Sequence, residues 1–212
     1  MATFTFVLAR RLDGTFKTAP NIFVQLFTIL GLRHRAGRPN EEVALPLVYA
    51  LLSSKAQALY KEVLQAVRDV VTQFNIADCV PSRIITNFEL GIINACKGVY
   101  PSVPTSCCYF HLSQSIYRRV QEAGVQVAYN DRDDWRIKEI THMMLSLAFI
   151  PIDDVNRVFD LLQAAVPTTF KCVVDYFNHT YVKGRASRKA RTKPATGTMG
   201  TSSVSAAPVE PV

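Results

Sequence analysis

The sequence is short of the features that would assign it at a glance. No apolar run approaches the ~20 residues needed to span a bilayer, so no membrane partner is expected. The opening Met1-Ala2-Thr3-Phe4-Thr5-Phe6 lacks the positive start and apolar centre of a secretory signal. The five cysteines (Cys79, Cys96, Cys107, Cys108, Cys172) contain no CxxC pair. An odd set without a leader reads as reduced intracellular thiols. There is no Walker loop, no GxSxG and no HExxH, which removes the commonest nucleotide-binding, serine-hydrolase and zinc-protease signatures. Residues 1–182 also lack an excess of one charge, with 18 Lys/Arg against 16 Asp/Glu. A strongly basic nucleic-acid-binding domain carries its charge on the fold itself, and this one does not.

What is present is apolar patterning. Nearly half of the 212 residues are hydrophobic, enough for one sizeable core. The composition breaks near Lys183. Beyond it, Lys183, Arg185, Arg188, Lys189, Arg191 and Lys193 face a single acid, Glu210. That basic run, followed by a Pro/Ser/Thr/Ala-rich stretch, holds too few large apolar residues to offset its ordering entropy. Residues 1–182 are therefore expected to fold, and 183–212 to form a disordered tail. The tail serves either as a nuclear-import or phosphate-contacting segment or as a solubilising one.

The first half reads as strands, helix, strand, helix, strand. Phe4–Ala9 is β-prone, and the extended pattern continues towards Phe16. Residues 22–30 and 43–52 predict two antiparallel strands joined by a long hairpin connection through Gly37, Pro39 and Asn40. Residues 54–74 predict a helix, with Ala56, Leu59, Tyr60, Val63, Val67, Val70, Val71 and Phe74 on one face. A short strand at 82–86, a helix at 89–100 and a fifth strand at 107–110 follow. The second half reads as helical: 112–123 closed by Gly124, 134–149 stopped by Pro151, and two more helices capped by Asp153 or Asp154 and by Thr168 or Thr169.

Four groups of residues suggest chemistry. Asp13-Gly14 is a strong turn dipeptide, whereas a catalytic carboxylate would have to sit on a central strand. Thr86-Asn87-Phe88-Glu89 fits a capping box, with Glu89 reaching back to the helix start. Cys108-x-x-His111 has ligand spacing but no second pair to close a zinc site, so a buried Cys and a helix-start His are expected and zinc is not. Asp131–Asp134 and Asp153-Asp154 precede helical runs and read as caps.

Taken in order, these phrases resemble the MULE transposase domain of Mutator-like elements. The resemblance rests on Asp13–Pro20, Gln25–Ile29, Leu45–Leu52, Ile84–Glu89 and Cys108–Tyr117. Leu147–Pro151 and Asp175–Tyr181 extend it, so that it runs from about residue 6 to 183. It implies an RNase H-like mixed sheet of about five strands with flanking helices, followed by an all-helical segment. It also implies a DDE mechanism, in which two carboxylates on adjacent strands and a later Glu hold two divalent ions, Mg²⁺ or Mn²⁺, for in-line phosphoryl transfer.

Asp13 matches the first acid. The second acid's position is Asn87, and the family's CxxH matches Cys108 and His111. The third acid is expected to be absent, with the C-terminal part of the core and any upstream zinc-binding DNA reader. The resemblance thus implies a degenerate or domesticated transposase domain that does not bind its metals competently and does not cut DNA. Expected partners are DNA, through weak non-specific contacts, and a full-length relative or a second copy; the expected compartment is the nucleus. Two alternatives stand beside this: a transposase or nuclease active only with a partner chain, and a protein-interaction module using the helical half.

Overall fold

A computed structural model describes residues 9–15, 19–35, 38–75, 80–183 and 209–210 of the chain. It is a mixed α/β protein that divides into two compact units, Met1–Cys108 with Glu210–Val212, and Tyr109–Val209. The expectations for residues 1–8, for Phe16 and for 184–208, including Arg185, Arg188, Lys189, Arg191 and Lys193, lie outside the described residues.

The first unit is built on β1 (Ala9–Thr15), β2 (Gln25–Arg35), β3 (Arg38–Leu52), β4 (Arg83–Thr86) and β5 (Thr105–Cys108). Between them come helices α1 (Gln57–Gln73) and α2 (Leu90–Val99). With the two-residue β6 (Val209–Glu210), the sheet order is β3-β2-β1-β4-β5-β6, six strands where the sequence suggested about five. β1 to β3 pair antiparallel, while β4 runs parallel to both β1 and β5. Ile84, Ile85 and Thr86 are all buried, the pattern of a strand covered on both faces.

One core holds Leu12, Phe27, Ile29, Leu52 and Ile84 of the sheet against Tyr60 and Leu64 of α1 and Ile92, Ala95, Cys96 and Val99 of α2. The helical period placed Tyr60 on the buried face, with Leu59, Val63 and Val67 packed partly against it. It missed Leu64, and it assigned to the same face Val70 and Phe74, which are 49% and 68% exposed. A smaller cluster joins Leu32, Ile85 and Cys108.

Three local expectations are overturned in this unit. Asp13-Gly14 is not a turn: both residues lie inside β1, opposite Thr28 and Phe27. The β2–β3 connection is not long, because the ladder continues to the pair Arg35↔Arg38. The fifth strand ends at Cys108, and Tyr109 and Phe110 already belong to a helix.

The second unit is helical. Its elements are α3 (Tyr109–Glu122), α4 (Gln126–Tyr129), α5 (Arg136–Ser146), α6 (Ile152–Ala164) and α7 (Lys171–Phe177), with 3₁₀ turns at Leu147–Phe149 and Thr168–Phe170. A π-helical turn, Asn178–Val182, follows α7. Gly124 carries φ +71° just past α3, the left-handed conformation that glycine adopts without a Cβ clash. Phe159 of α6 and Phe177 of α7 are buried and stack with centroids 6.1 Å apart.

The expected caps are corrected here in all but one case, Asp134. Pro151 occupies the N-cap of α6, and Asp153 and Asp154 stand in its first turn, where they still favour the helix dipole. Thr168 and Thr169 belong to a 3₁₀ turn, and Phe170 precedes α7 without a side-chain cap. Asp131 accepts the amides of Asp133 and Asp134 at 2.9 and 3.4 Å, closing a turn. The Asp134 carboxylate accepts the amide of Arg136, the first residue of α5, at 3.2 Å and so keeps a capping role. Among the described residues no helix is long and apolar enough to cross a membrane.

Candidate functional site at the strand ends

The site is assembled from the ends of the two innermost strands of the first unit. β1 and β4 pair in parallel through Ala9↔Arg83, Arg10↔Ile84 and Arg11↔Ile85. The paired register stops there, and Asp13 and Asn87 each stand two residues beyond its last pair. Asp13 is still in β1, its backbone opposite Thr28 of β2. Asn87 is the first residue after β4. The Asp13 side chain lies outside the described residues.

The residues around Asn87 are tightly connected. The Thr86 hydroxyl donates to the Asn87 carbonyl at 2.8 Å, and the Cys107 thiol of β5 lies 3.8 Å from that same oxygen. The Asn87 side-chain oxygen Oδ1 accepts the Glu89 amide at 3.0 Å. Asn87 thus closes an Asx turn between β4 and α2, a local bond that short polar side chains make readily. The capping box is absent: Thr86 is fully buried at the strand end, and Glu89 occupies the α2 N-cap without a side-chain cap bond.

The Glu89 carboxylate points elsewhere. Its Oε1 accepts the Tyr60 hydroxyl of α1 at 2.6 Å, and its Oε2 lies 3.7 Å from the Lys55 ammonium. The Tyr60 oxygen in turn accepts from the Gln25 amide at the start of β2. Both Tyr60 and Gln25 are fully buried. Burial, reinforced by the hydrogen bond to Glu89, holds the Tyr60 hydroxyl well above its ordinary pKa. Tyr60 is therefore a donor and not a base, and the sequence contains no local signal for a partnership spanning 29 residues.

Cys108 is buried at the end of β5, and His111 stands in the first turn of α3. Burial pushes the thiols of Cys107 and Cys96 up to about 11 and about 12, so neither is a thiolate near neutrality. Among the described residues no group of three or more His, Cys, Asp or Glu is arranged to hold a metal ion. Lys183, read from the sequence as the start of the tail, follows the π-helical turn and pairs with Asp160.

Two of the distant sequence phrases meet inside the second unit. The Tyr181 hydroxyl donates to the Ser115 hydroxyl at 2.8 Å, the Tyr176 hydroxyl lies 3.2 Å from that of Ser115, and the Arg119 guanidinium sits 5.2 Å above the Tyr176 ring. Cys108–Tyr117 and Asp175–Tyr181 thus share packing partners on α3 and around the π-helical turn.

The class this defines is an α/β domain whose central parallel strands end in polar residues drawn from different segments. Comparison with known families makes it particular: the family model of the MULE transposase domain matches residues 9–115, just over half of the chain, and the chain belongs to that family. The matched segment contains β1 to β5 and ends at Ser115 in α3. No curated protein matches the chain, and no solved structure does.

Proposed function

We propose that the chain is a transposase-derived domain that keeps the strand framework of a Mutator-like catalytic core and has lost strand cleavage. Three antiparallel strands followed by two parallel ones, in the order β3-β2-β1-β4-β5, support an RNase H-like reading of that framework. The observation that carries the loss is the residue two places past the last β1–β4 pair on the β4 side, as Asp13 is on the β1 side. In a DDE site it should be a second carboxylate, and here it is Asn87, whose side-chain oxygen already accepts a backbone amide.

The donors present do not fit a pair of divalent ions. Mg²⁺ and Mn²⁺ favour carboxylate oxygens, and a neutral amide contributes no countercharge to two doubly charged ions. The nearest acid in sequence, Glu89, directs its oxygens to Tyr60 and Lys55. Each well-placed electrostatic contact in such a site lowers the barrier by about 3–4 kcal/mol, so an unmet carboxylate position removes turnover. What this reading retains is weak, sequence-independent contact with DNA, in keeping with transposase ancestry.

Calorimetric titration with Mn²⁺ tests the proposal. The wild type is expected to show no saturable binding, and Asn87→Asp is expected to create a measurable site. Tight Mn²⁺ binding by the wild type, abolished by Asp13→Ala, would sink it.

A further inference from the structure

We infer that Glu89 is a positioning residue, which ties the turn carrying residue 87 to α1 and β2 and does not itself take up a metal. The inference rests on the reading of positions 13 and 87 given under Proposed function. Its support is a connected set of contacts. Glu89 lies two residues past Asn87 and donates its own amide to the Asn87 side chain at 3.0 Å. Its carboxylate leaves the turn in the other direction, to Tyr60 at 2.6 Å and Lys55 at 3.7 Å. Tyr60 is fully buried, its ring 5.2 Å from that of Phe27 of β2, and its hydroxyl is held from the far side by Gln25, also of β2.

The backbone is fitted to this arrangement. A Cβ on Gly91 would meet the Lys55 carbonyl at 3.2 Å and the Tyr60 ring at 3.3 Å. Glycine is what lets the start of α2 approach α1 closely enough for Glu89 to reach Tyr60. The chain Gln25–Tyr60–Glu89 therefore links β2, α1 and α2 at the end of the sheet where residues 13 and 87 stand. Withdrawing Glu89 to bind a cation would leave the buried Tyr60 hydroxyl without its acceptor, a loss that buried donors tolerate poorly.

Two measurements on the full chain test this. The first is amide hydrogen exchange at residues 87–90 in the wild type and in Tyr60→Phe. Loss of the tie is expected to speed exchange there about tenfold, the equivalent of one hydrogen bond to a charged acceptor, and to leave α6 unchanged. Exchange unchanged at 87–90 would overturn the tie.

The second is Mn²⁺ affinity in the Asn87→Asp background. Glu89→Gln retains an acceptor for Tyr60 and is expected to keep the affinity within about threefold. Tyr60→Phe is expected to weaken it about tenfold. The reverse order, with Glu89→Gln abolishing binding and Tyr60→Phe harmless, would make Glu89 a ligand and overturn the inference. If Asn87→Asp binds no Mn²⁺ at all, the reading of positions 13 and 87 fails instead, and the exchange result alone decides the tie.

Discussion

Two glycines of α2 give opposite forecasts from one helix. At Gly98 a Cβ would meet nothing within 4 Å, and the residue is exposed near the helix end. Gly98→Ala therefore removes only backbone freedom from the unfolded chain and is expected to stabilise by about 0.5–1 kcal/mol. At Gly91 the same propensity gain meets contacts at 3.2 Å to backbone and 3.3 Å to a ring. The Lys55 carbonyl belongs to the main chain, and the Tyr60 ring is held at its hydroxyl by Glu89 and Gln25. Neither gives way cheaply, and overpacking of this kind costs about 1–3 kcal/mol.

The net forecast for Gly91→Ala is destabilisation by about 0–2 kcal/mol, from that cost less the helix gain. Urea unfolding of the two variants, followed by circular dichroism, measures the difference as a shift in midpoint at constant slope. If Gly91→Ala is as stabilising as Gly98→Ala, Tyr60 moves aside freely and the account of a held ring is wrong.

Further expectations concern other parts of the chain. Leu12→Ala empties a side chain that is 1% exposed beside Asp13 and should cost about 2–5 kcal/mol in the same unfolding assay. In thiol labelling near pH 8, exposed Cys172 should react quickly, while buried Cys96 and Cys107, with thiols pushed up to about 12 and about 11, should react only on unfolding. The Arg136 guanidinium, bonded to Asp134 at 2.7 and 2.9 Å, holds that carboxyl down at about 2 from an ordinary 3.8. Its contribution is therefore complete above about pH 4 and lost as pH falls towards about 2. A carbon-detected NMR titration should show the depressed value in the wild type and a return towards the ordinary one in Arg136→Gln.

Local rules carried much of the fold and less of the site. Periodicity located α1, the Val/Ile/Leu-rich runs located β2 and β3, and Gly124 marked the end of α3, because each depends on residues within one or two turns of each other. Asp13-Gly14 was misjudged by local propensity, since antiparallel pairing with β2 along the whole of β1 draws a strong turn dipeptide into a strand. The strand expected at 107–110 overran because α3 begins directly at Tyr109, with no Gly or Pro to announce it.

At the site, the positions of Asp13 and Asn87 were reached through family resemblance, and the β1–β4 register ends two residues short of both. The role of Glu89 was not legible. Thr86-x-x-Glu89 satisfies a capping pattern locally, while burial of Thr86 and a tyrosine 29 residues away decide the outcome. Non-local polar partnerships of this kind leave no periodic trace in a sequence.

The proposed function separates a surviving strand framework from a lost strand-cleavage chemistry. Its most direct test is cleavage and strand transfer on a labelled DNA duplex, with Mn²⁺ or Mg²⁺ supplied, comparing the purified wild type, Asp13→Ala and Asn87→Asp. Wild type and Asp13→Ala are expected to be equally inert. Metal-dependent cleavage by the wild type that disappears in Asp13→Ala would contradict it.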